Sequence, residues 1–328
     1  MIQIVTKFIV NKHELLVQGI PAGFRNYQST FIEDLIKGYK PKIINLSLPF
    51  LIKLRKTIIN HLECCKLCPS HCATNRLDIR GTICNLASYG NIFRISVNQA
   101  GEKSLIPQLM VYFSGCNLRC PFCQSWDHII NTDGAQVTLK YMNDLLPYIK
   151  DAKTILFTGG EASLSILSLV DFIIFLKKKG MEKLILLDTN LYLSIELLNI
   201  LSNFVDIFLA DFKFTPNCAF SLLGIKNYFE IITENILYLY NRNERMILTH
   251  LLLPGHIDCC TLPILKWIKE HIPDIPISLM TGFFSTDKWK RVNYTNAMLR
   301  EEEVKKAFYS AEKLNLKVIK SEVYYAGN

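Results

Sequence analysis

The 328-residue sequence lacks the patterns of secreted and membrane-spanning proteins. Residues 1–7 contain no basic segment followed by an apolar one, which a secretory signal would require. The longest apolar run, residues 164–176, is interrupted by serines and Asp171, and it is shorter than the roughly 20 residues that span a bilayer. We therefore expect a cytoplasmic protein without a membrane-spanning segment.

The sequence also lacks a concentrated charge. Its formal net charge of +8 comes from scattered lysines and arginines, and no basic tail is present. This distribution is weak evidence for nucleic-acid binding, so we expect no nucleic-acid partner. A basic surface could steer an acidic electron donor, although an ordinary solvated surface explains the same charge. Half of the residues are hydrophobic, which favours a folded core over disorder.

Cysteine is abundant, with 11 residues, and the absence of a secretory pattern favours metal ligands in a reducing compartment. Three of them lie at Cys-x3-Cys-x2-Cys spacing directly after an apolar run, at Cys116, Cys120 and Cys123. Three thiolates can hold an iron-sulfur cluster and leave one iron without a protein ligand. A zinc knuckle is the alternative, but zinc sites more often have four ligands, and no further Cys or His follows before His128.

From residue 108 onward, short apolar segments alternate with helical patterns. Strands are predicted at 108–114, 154–158, 183–188, 206–210, 246–253 and 277–280, and helices at 139–149, 164–179, 194–203, 226–241, 262–271 and 301–314. Such alternation favours a parallel sheet covered by helices. Polar and glycine-bearing motifs follow the strands, where barrels of this kind build their active sites. The predicted fold is α/β, a partial (β/α)6 TIM-like barrel with an N-terminal cysteine-rich extension.

The cysteine spacing, together with the aromatic Phe122 before the last cysteine, resembles the cluster loop of the radical S-adenosylmethionine (radical SAM) superfamily. The resemblance implies that Cys116, Cys120 and Cys123 hold a 4Fe-4S cluster. It also implies that S-adenosylmethionine (SAM) binds the open iron and is cleaved to methionine and a 5'-deoxyadenosyl radical. Phe122 would then pack near the adenine.

Three further motifs resemble elements of this superfamily. Gly159-Gly160-Glu161 is similar to the element that binds the amino group of SAM, with Ala162 in place of the usual proline; a strand-to-helix turn would also explain the glycines. Asp188-Thr189-Asn190 resembles a run in glycyl-radical activating enzymes, where it helps to hold a monovalent cation beside the methionine carboxylate; helix capping is the alternative. Asp211 and Lys213 match an Asp-x-Lys pattern whose lysine meets a carboxylate of cofactor or substrate.

A second cysteine group precedes the barrel. Cys65, Cys68, Cys72 and Cys84 offer four thiolates for a second 4Fe-4S cluster or a structural zinc, with buried unligated thiols as the alternative. The segment resembles a motif in relatives of the pyruvate formate-lyase activating enzyme, but Ile79 and Thr82 stand where glycines are expected. Spacing does not decide between Cys64 and Cys65. We divide the chain into an N-terminal extension (1–60), a cysteine-rich metal-binding segment (61–95) and the barrel (96–328).

The resemblance implies a radical SAM enzyme that abstracts hydrogen, with a glycyl-radical enzyme as its protein target. Enzymes that modify peptides or natural products are an alternative, because Thr249 stands where relatives of this branch carry arginine. A third hypothesis is an iron-sulfur electron-transfer protein, but such a protein gains nothing from an open iron. The expected reductant is of flavodoxin or ferredoxin type. His250 is expected to be structural, and Cys218, Cys259 and Cys260 have no ligand spacing and are assigned to packing.

Overall fold

The computed structural model describes residues 30–99, 104–283, 285–291 and 298–320. The apolar segment 2–10, which the sequence allows as a strand, lies outside this part of the chain. The strands are β1 Asn91–Asn98, β2 Gln108–Phe113, β3 Ala135–Gln136, β4 Thr154–Gly159, β5 Leu184–Thr189, β6 Ile207–Asp211, β7 Met246–Leu251, β8 Ile277–Met280 and β9 Val318–Lys320. The helices are α1 Thr30–Ile36, α2 Leu48–Glu63, α3 Trp126–Asn131, α4 Leu139–Asp144, α5 Leu146–Asp151, α6 Ile166–Lys178, α7 Ile195–Leu201, α8 Pro216–Leu223, α9 Tyr228–Asn241, α10 Leu262–His271, α11 Asp287–Arg291 and α12 Glu301–Lys313.

All strands belong to one sheet in the order β3-β1-β2-β4-β5-β6-β7-β8-β9. In this order, β2, β4, β5, β6, β7, β8 and β9 pair in parallel with one another. Strand β1 pairs antiparallel with β2 and with β3. Within the described residues β9 does not pair back to the opposite edge, so the barrel is partial. The predicted (β/α)6 architecture is confirmed. The sequence did not predict β1, β3 and β9, because an antiparallel edge and a three-residue strand have weak patterns.

Two predicted helices differ from expectation in local detail. The segment 139–149 forms two short helices, α4 and α5, because Pro147 lies in the first turn of α5 and cannot continue the preceding helix. The segment 164–179 begins with a 3-10 turn at Ala162–Ser165 before α6. Helix α8 was not predicted, although Thr215 and Pro216 at its start are typical of a helix beginning.

The sheet carries a hydrophobic core on each face. Alternate residues of β4 show the division: Ile155 and Phe157 enter the larger core beneath the helices, and Leu156 enters a smaller cluster on the other face. The smaller cluster also receives side chains of α1, including Phe31, Ile32, Leu35 and Ile36. Helix α1 therefore covers apolar surface on the inner face of the partial barrel.

The segment after α1 lies at the amino-terminal end of the strands. Asp206, directly before β6, accepts hydrogen bonds from the Tyr39 hydroxyl at 2.9 Å and from the Lys42 backbone N–H at 2.7 Å. Helix α2 packs on α6, where Arg55 Nε lies 2.6 Å from Asp171 Oδ1. The opposite, carboxyl end of the sheet is thus left for the motifs. Among the helices in the described ranges, none is long and apolar enough to cross a bilayer.

Candidate active site

The loop after β2, residues 114–123, carries the three cysteines and is called the cluster loop. Cys116 and Cys120 are buried, and Cys123 is half-buried. The backbone N–H of Cys123 donates to the Cys120 carbonyl at 3.0 Å, which closes a tight turn between these two thiols. The Cys116 sulfur accepts from the Leu118 backbone N–H at 3.4 Å. The local backbone therefore presents the thiols from one compact loop.

The three thiols of the cluster loop are not gathered around one point as the ligands of a single ion would be. In the described residues, no three cluster-loop sulfurs lie within 4.8 Å of one another. A tetrahedral zinc with bonds of about 2.3 Å would need its sulfurs roughly 3.8 Å apart. Burial raises the pKa of Cys116 and raises that of Cys120 to about 12, so a metal must displace the protons when it binds. The donor set thus suits an iron-sulfur cluster, whose ligands sit on separate irons.

The two glycines after β4 pack against the cluster loop. Gly160 N–H donates to the Phe113 carbonyl and Glu161 N–H to the Gly115 carbonyl, each at 2.8 Å. A Cβ on Gly160 would lie 2.0 Å from the Gly115 oxygen, and Gly159 has a φ of +113°, which favours glycine. These glycines let the β4 turn approach the loop backbone directly, a contact that the sequence did not predict.

Glu161 is fully buried beside this turn. One carboxylate oxygen accepts from the Ser163 backbone N–H at 3.3 Å and from its hydroxyl, and the other accepts from the Asn190 N–H at 2.7 Å. Burial raises the pKa of Glu161 in spite of these hydrogen bonds. A cation beside this carboxylate would relieve the cost of burying its charge.

Asn190 links the third motif to the cluster loop. Its side-chain amide donates to Asn117 Oδ1 at 2.9 Å and lies 3.6 Å from the Cys116 sulfur, while its Oδ1 accepts from the Tyr192 N–H at 2.8 Å. Helix capping is not the task of this motif, because Ser194 caps α7 by accepting from the Leu197 N–H at 3.3 Å. The alternative of capping is therefore wrong for this helix.

Asp188 and Asp211 are neighbouring acids at the ends of β5 and β6. Asp188 accepts from the Thr158 hydroxyl at 2.7 Å, and burial, aided by the charge of Asp211, raises its pKa to about 7. Asp211 accepts hydrogen bonds from Lys213 Nζ and from the Thr249 hydroxyl. Burial alone would lower the pKa of Lys213, but the charge of Asp211 raises it overall, so this lysine stays protonated.

Phe122 lies among aromatic rings, and His250 is held by hydrogen bonds within the fold. Phe122 lies within an aromatic group, with ring centroids 5.9 Å from Phe214 and 5.8 Å from Trp289. His250 is buried, and its two ring nitrogens contact the Phe212 carbonyl at 2.6 Å and the Thr261 hydroxyl at 2.9 Å. Burial lowers the pKa of His250 to about 4, so the ring is neutral. These contacts agree with the structural role expected for His250.

The motifs converge at the carboxyl ends of β2, β4, β5 and β6, and comparison with known proteins identifies the arrangement. Residues 110–268 match the family described as the radical SAM superfamily. The chain belongs to this superfamily. Membership implies an enzyme that uses a 4Fe-4S cluster and SAM.

The chain is also similar to individual proteins. The chain is 31% identical over 289 residues to an uncharacterised protein of Methanocaldococcus jannaschii, covering 85% of this chain and 81% of that protein. A solved structure of anSMEcpe with bound AdoMet and the Kp18Cys peptide is 15% identical and has a TM-score of 0.48. The match covers 62% of this chain and 60% of the anSMEcpe chain. A domain of pyruvate-formate lyase-activating enzyme from Bacteroides vulgatus is 17% identical, covers 52% and 100%, and has a TM-score of 0.41.

The upstream cysteines form a separate group in this radical SAM chain. Cys65, Cys68 and Cys84 are buried and Cys72 is half-buried, whereas Cys64 is exposed. Burial raises the pKa of Cys68, and the nearby thiols of Cys84 and Cys65 raise it further. The burial therefore favours Cys65 over Cys64 as the member of this cysteine group. As in the cluster loop, no three of these sulfurs lie within 4.8 Å of one another in the described residues.

Two arginines fix the upstream group against the barrel. Arg76 is fully buried, and its guanidinium donates to the Ala87 carbonyl at 2.7 Å and to the Leu164 carbonyl at 2.9 Å, with Cys65 Sγ 3.9 Å away. Arg119 of the cluster loop donates to the Ile83 carbonyl. A buried guanidinium is costly without an anion nearby, and thiolates on a metal would provide that charge.

Some contributors to the site were not singled out from the sequence. Asn117 donates to the Tyr192 carbonyl at 2.6 Å, Ser163 supports Glu161, and Thr158 supports Asp188. Thr158 directly precedes Gly159 at the carboxyl end of β4, and this position is a sequence signal for a site residue. Asn117 and Ser163 lie beside recognised motif residues, but nothing in their spacing indicates the partners that they reach across the fold.

Proposed function

We propose that Cys116, Cys120 and Cys123 hold the 4Fe-4S cluster of this enzyme and that SAM binds beside it, between Glu161, Asp188 and Lys213. When bound, the cluster and SAM supply reductive cleavage to methionine and a 5'-deoxyadenosyl radical, which abstracts hydrogen. The observation that carries this proposal is the convergence of the three-thiol loop with Glu161, Asp188 and Lys213 at one end of the parallel sheet.

Each of these side chains has a task that follows from its charge and surroundings. The Glu161 carboxylate, buried and held by Ser163 and Asn190, would accept hydrogen bonds from the cofactor's ammonium. Lys213 remains protonated beside Asp211 and would meet a carboxylate of cofactor or substrate. Phe122, Gly159 and Gly160 would complete the adenine and methionine surroundings. The apolar group around Phe122 would exclude water from the reacting centre.

The run Asp188-Thr189-Asn190 contains the candidate ligands for a monovalent cation beside the methionine carboxylate. Asp188 is already close to Asp211, and burial favours its neutral form. A cation would compensate the charge when Asp188 ionises. Thr189 is buried next to it, while Asn190 is committed to the cluster loop. We therefore assign the cation to Asp188 and Thr189 and assign Asn190 to positioning the loop.

For the substrate, we propose a backbone glycine of a partner glycyl-radical enzyme. The Asp188-Thr189-Asn190 run supports this choice, because it resembles that of glycyl-radical activating enzymes. A second candidate is a peptide substrate modified directly, and Thr249 favours it: its hydroxyl bonds to Asp211 where the branch would place a cationic side chain. In both cases a flavodoxin or ferredoxin-type reductant would supply the electron.

We further propose that Cys65, Cys68, Cys72 and Cys84 hold a second 4Fe-4S cluster that relays this electron. We favour a cluster over a zinc ion because the protein must already receive iron and sulfide for its first cluster. The segment also touches the cluster loop, since a Cβ on Gly115 would lie 3.0 Å from the Cys84 carbonyl oxygen. A relay benefits from such proximity. We expect the protein to act in the cytoplasm, where thiolate clusters remain reduced and assembled.

Anaerobic reduction of the reconstituted protein with SAM tests the central proposal. We expect equal amounts of methionine and 5'-deoxyadenosine, and no cleavage after alanine substitution of Cys116, Cys120 or Cys123. Cleavage that persisted in all three single variants would exclude the cluster-loop assignment. Incubation with candidate partners separates the two substrate classes: a glycyl radical in a partner protein gives an electron paramagnetic resonance (EPR) signal, whereas a modified peptide changes mass.

A further inference from the structure

Three ligand-type side chains converge outside both cysteine groups described above. Cys218 Sγ lies 3.4 Å from Cys259 Sγ and 3.5 Å from His256 Nδ1, and Cys259 Sγ lies 3.4 Å from the same nitrogen. The three atoms therefore form a nearly equilateral triangle. In the described residues this is the only set of three Cys, His, Asp or Glu ligand atoms within 4.8 Å of one another. The sequence prediction that Cys218 and Cys259 serve only packing is thus incomplete.

The size of the triangle matches the coordination shell of one ion. Zinc binds Cys sulfur at about 2.3 Å and His nitrogen at about 2.0–2.1 Å, and tetrahedral geometry then separates its ligands by roughly 3.3–3.8 Å. The observed separations of 3.4–3.5 Å are of this size. A cluster with four irons would spread its ligands further. Thiolate and imidazole together are the donors that suit zinc among common biological metals.

The backbone holds the three residues in place from two different loops. Cys218 lies in the first turn of α8, after β6. His256 directly precedes the π-helical turn Ile257–Thr261 after β7, and Cys259 lies within that turn. The Thr215 hydroxyl donates to the Cys259 carbonyl at 2.9 Å, which ties the two segments together. A metal at this point would join the loops that follow two adjacent strands of the active-site end.

We propose that Cys218, His256 and Cys259 bind one Zn²⁺ ion and leave its fourth coordination position open. Cys218 and His256 are buried while Cys259 is exposed, so solvent or a substrate group can reach the fourth position from the side of Cys259. Three protein ligands with one exchangeable position are typical of zinc sites that bind substrate or water. This proposal does not depend on the proposed radical chemistry.

The position of the site connects it to the active-site end. The neighbouring Cys260 thiol donates to the Lys213 carbonyl at 3.3 Å, so Cys260 belongs to the loop contact with the lysine and lies outside the triangle. The His256 ring lies 6.0 Å from Trp289, which itself contacts Phe122. A zinc ion here would therefore fix the loops beside Lys213 and offer a binding point for a substrate group such as a thiolate or carboxylate.

Zinc analysis of the anaerobically purified holoprotein tests the proposal. We expect wild type to retain, after dialysis, about one zinc per chain more than Cys259→Ser or Cys218→Ser, with iron unchanged. The zinc X-ray absorption edge, which does not detect iron, should show two sulfurs at about 2.3 Å and lighter ligands at about 2.0–2.1 Å. Cys259→Ser alters an exposed residue, so its fold should be retained, as circular dichroism can verify.

The matched control is Cys64→Ser, because Cys64 is also exposed but lies outside the triangle. Its zinc content should equal that of wild type. Zinc that is absent from wild type, or unchanged in both Cys218→Ser and Cys259→Ser, would overturn the proposal. A shell of four sulfurs would assign the zinc to the upstream cysteines instead. A Cys218–Cys259 disulfide found by mass spectrometry in the anaerobic protein would also overturn it.

Discussion

Replacement of Glu161 by glutamine should weaken SAM binding by roughly ten- to a hundredfold. The carboxylate is fully buried, and its two oxygens already accept from Ser163 and Asn190. Glutamine keeps the shape but removes the negative charge that would face the cofactor's ammonium. A hydrogen bond to a charged group contributes about 1.5–3 kcal/mol, which corresponds to this loss of affinity.

The same substitution also tests the internal hydrogen bonds of the site. Glutamine has one acceptor oxygen, so its NH₂ group must face the Asn190 or the Ser163 N–H, and one buried donor loses its partner. Such a loss costs about 1–3 kcal/mol of unfolding free energy. Ser163→Ala is the matched control, because it removes one supporting hydroxyl and keeps the carboxylate charge. It should lower stability slightly and leave most of the SAM affinity.

The pH dependence of SAM affinity separates these effects. Burial raises the pKa of Glu161, so the ionised form is disfavoured in the folded protein without cofactor. The affinity of wild type should therefore rise as the pH increases through this pKa, and the glutamine variant should lose this increase. By the same sign, the charge of Glu161 reduces folding stability as the pH rises above its unfolded pKa of about 4.3. Isothermal titration calorimetry on the anaerobic protein measures the affinities; equal affinity in Glu161→Gln and wild type would refute the cofactor contact.

Three further predictions concern the loop, the cation and the upstream cysteines. Asn190→Ala removes the amide near the Cys116 sulfur. Because such donors stabilise the reduced cluster, the midpoint potential of the cluster should fall by roughly 20–60 mV in an EPR-monitored titration. An unchanged potential would argue against the contact. Because Asp188 has a pKa of about 7, potassium affinity should fall about tenfold per pH unit below that value, and pH-independent binding would exclude Asp188 as a ligand. Removal of the four upstream thiols, Cys65, Cys68, Cys72 and Cys84, should halve the iron content of the anaerobic protein. Stoichiometric zinc in wild type, with iron for only one cluster, would instead make the segment a zinc site.

The fold was predictable where the chain repeats a clear pattern. The strands of the barrel were expected from short apolar runs, and β8 at Ile277–Met280 and α10 at Leu262–His271 match the predicted bounds. The antiparallel strand β1 was missed because its burial alternates irregularly and its register with β2 shifts between Ile92 and Arg94. Strand β9 has only three residues, which is too short for periodicity to indicate.

The candidate site was predictable as a set of motifs, and its internal contacts were not. Spacing singled out Cys116, Glu161 and Asp188 because each follows a strand, and parallel strands bring their carboxyl ends together. Spacing does not tell which neighbours a side chain reaches across the fold. The bonds of Asn190 to Asn117 and of Thr249 to Asp211 join residues that are 73 and 38 positions apart. Likewise, Cys218 and Cys259 are 41 positions apart, so their convergence has no local signature.

The contacts of the upstream segment bear on why a radical enzyme would carry it. If the segment only stabilised the fold, it would not need to lie at the cluster loop; yet Gly115 leaves no room for a Cβ beside Leu86, and Arg119 of the loop bonds to the Ile83 carbonyl. The backbone position of Cys116 therefore depends on the position of the segment around Cys84. If the upstream thiols hold a metal as proposed, its loss would disturb the backbone around Cys84 and, through these contacts, the cluster loop. With the proposed second cluster, the segment would influence both the delivery of the electron and the geometry of the loop that receives it.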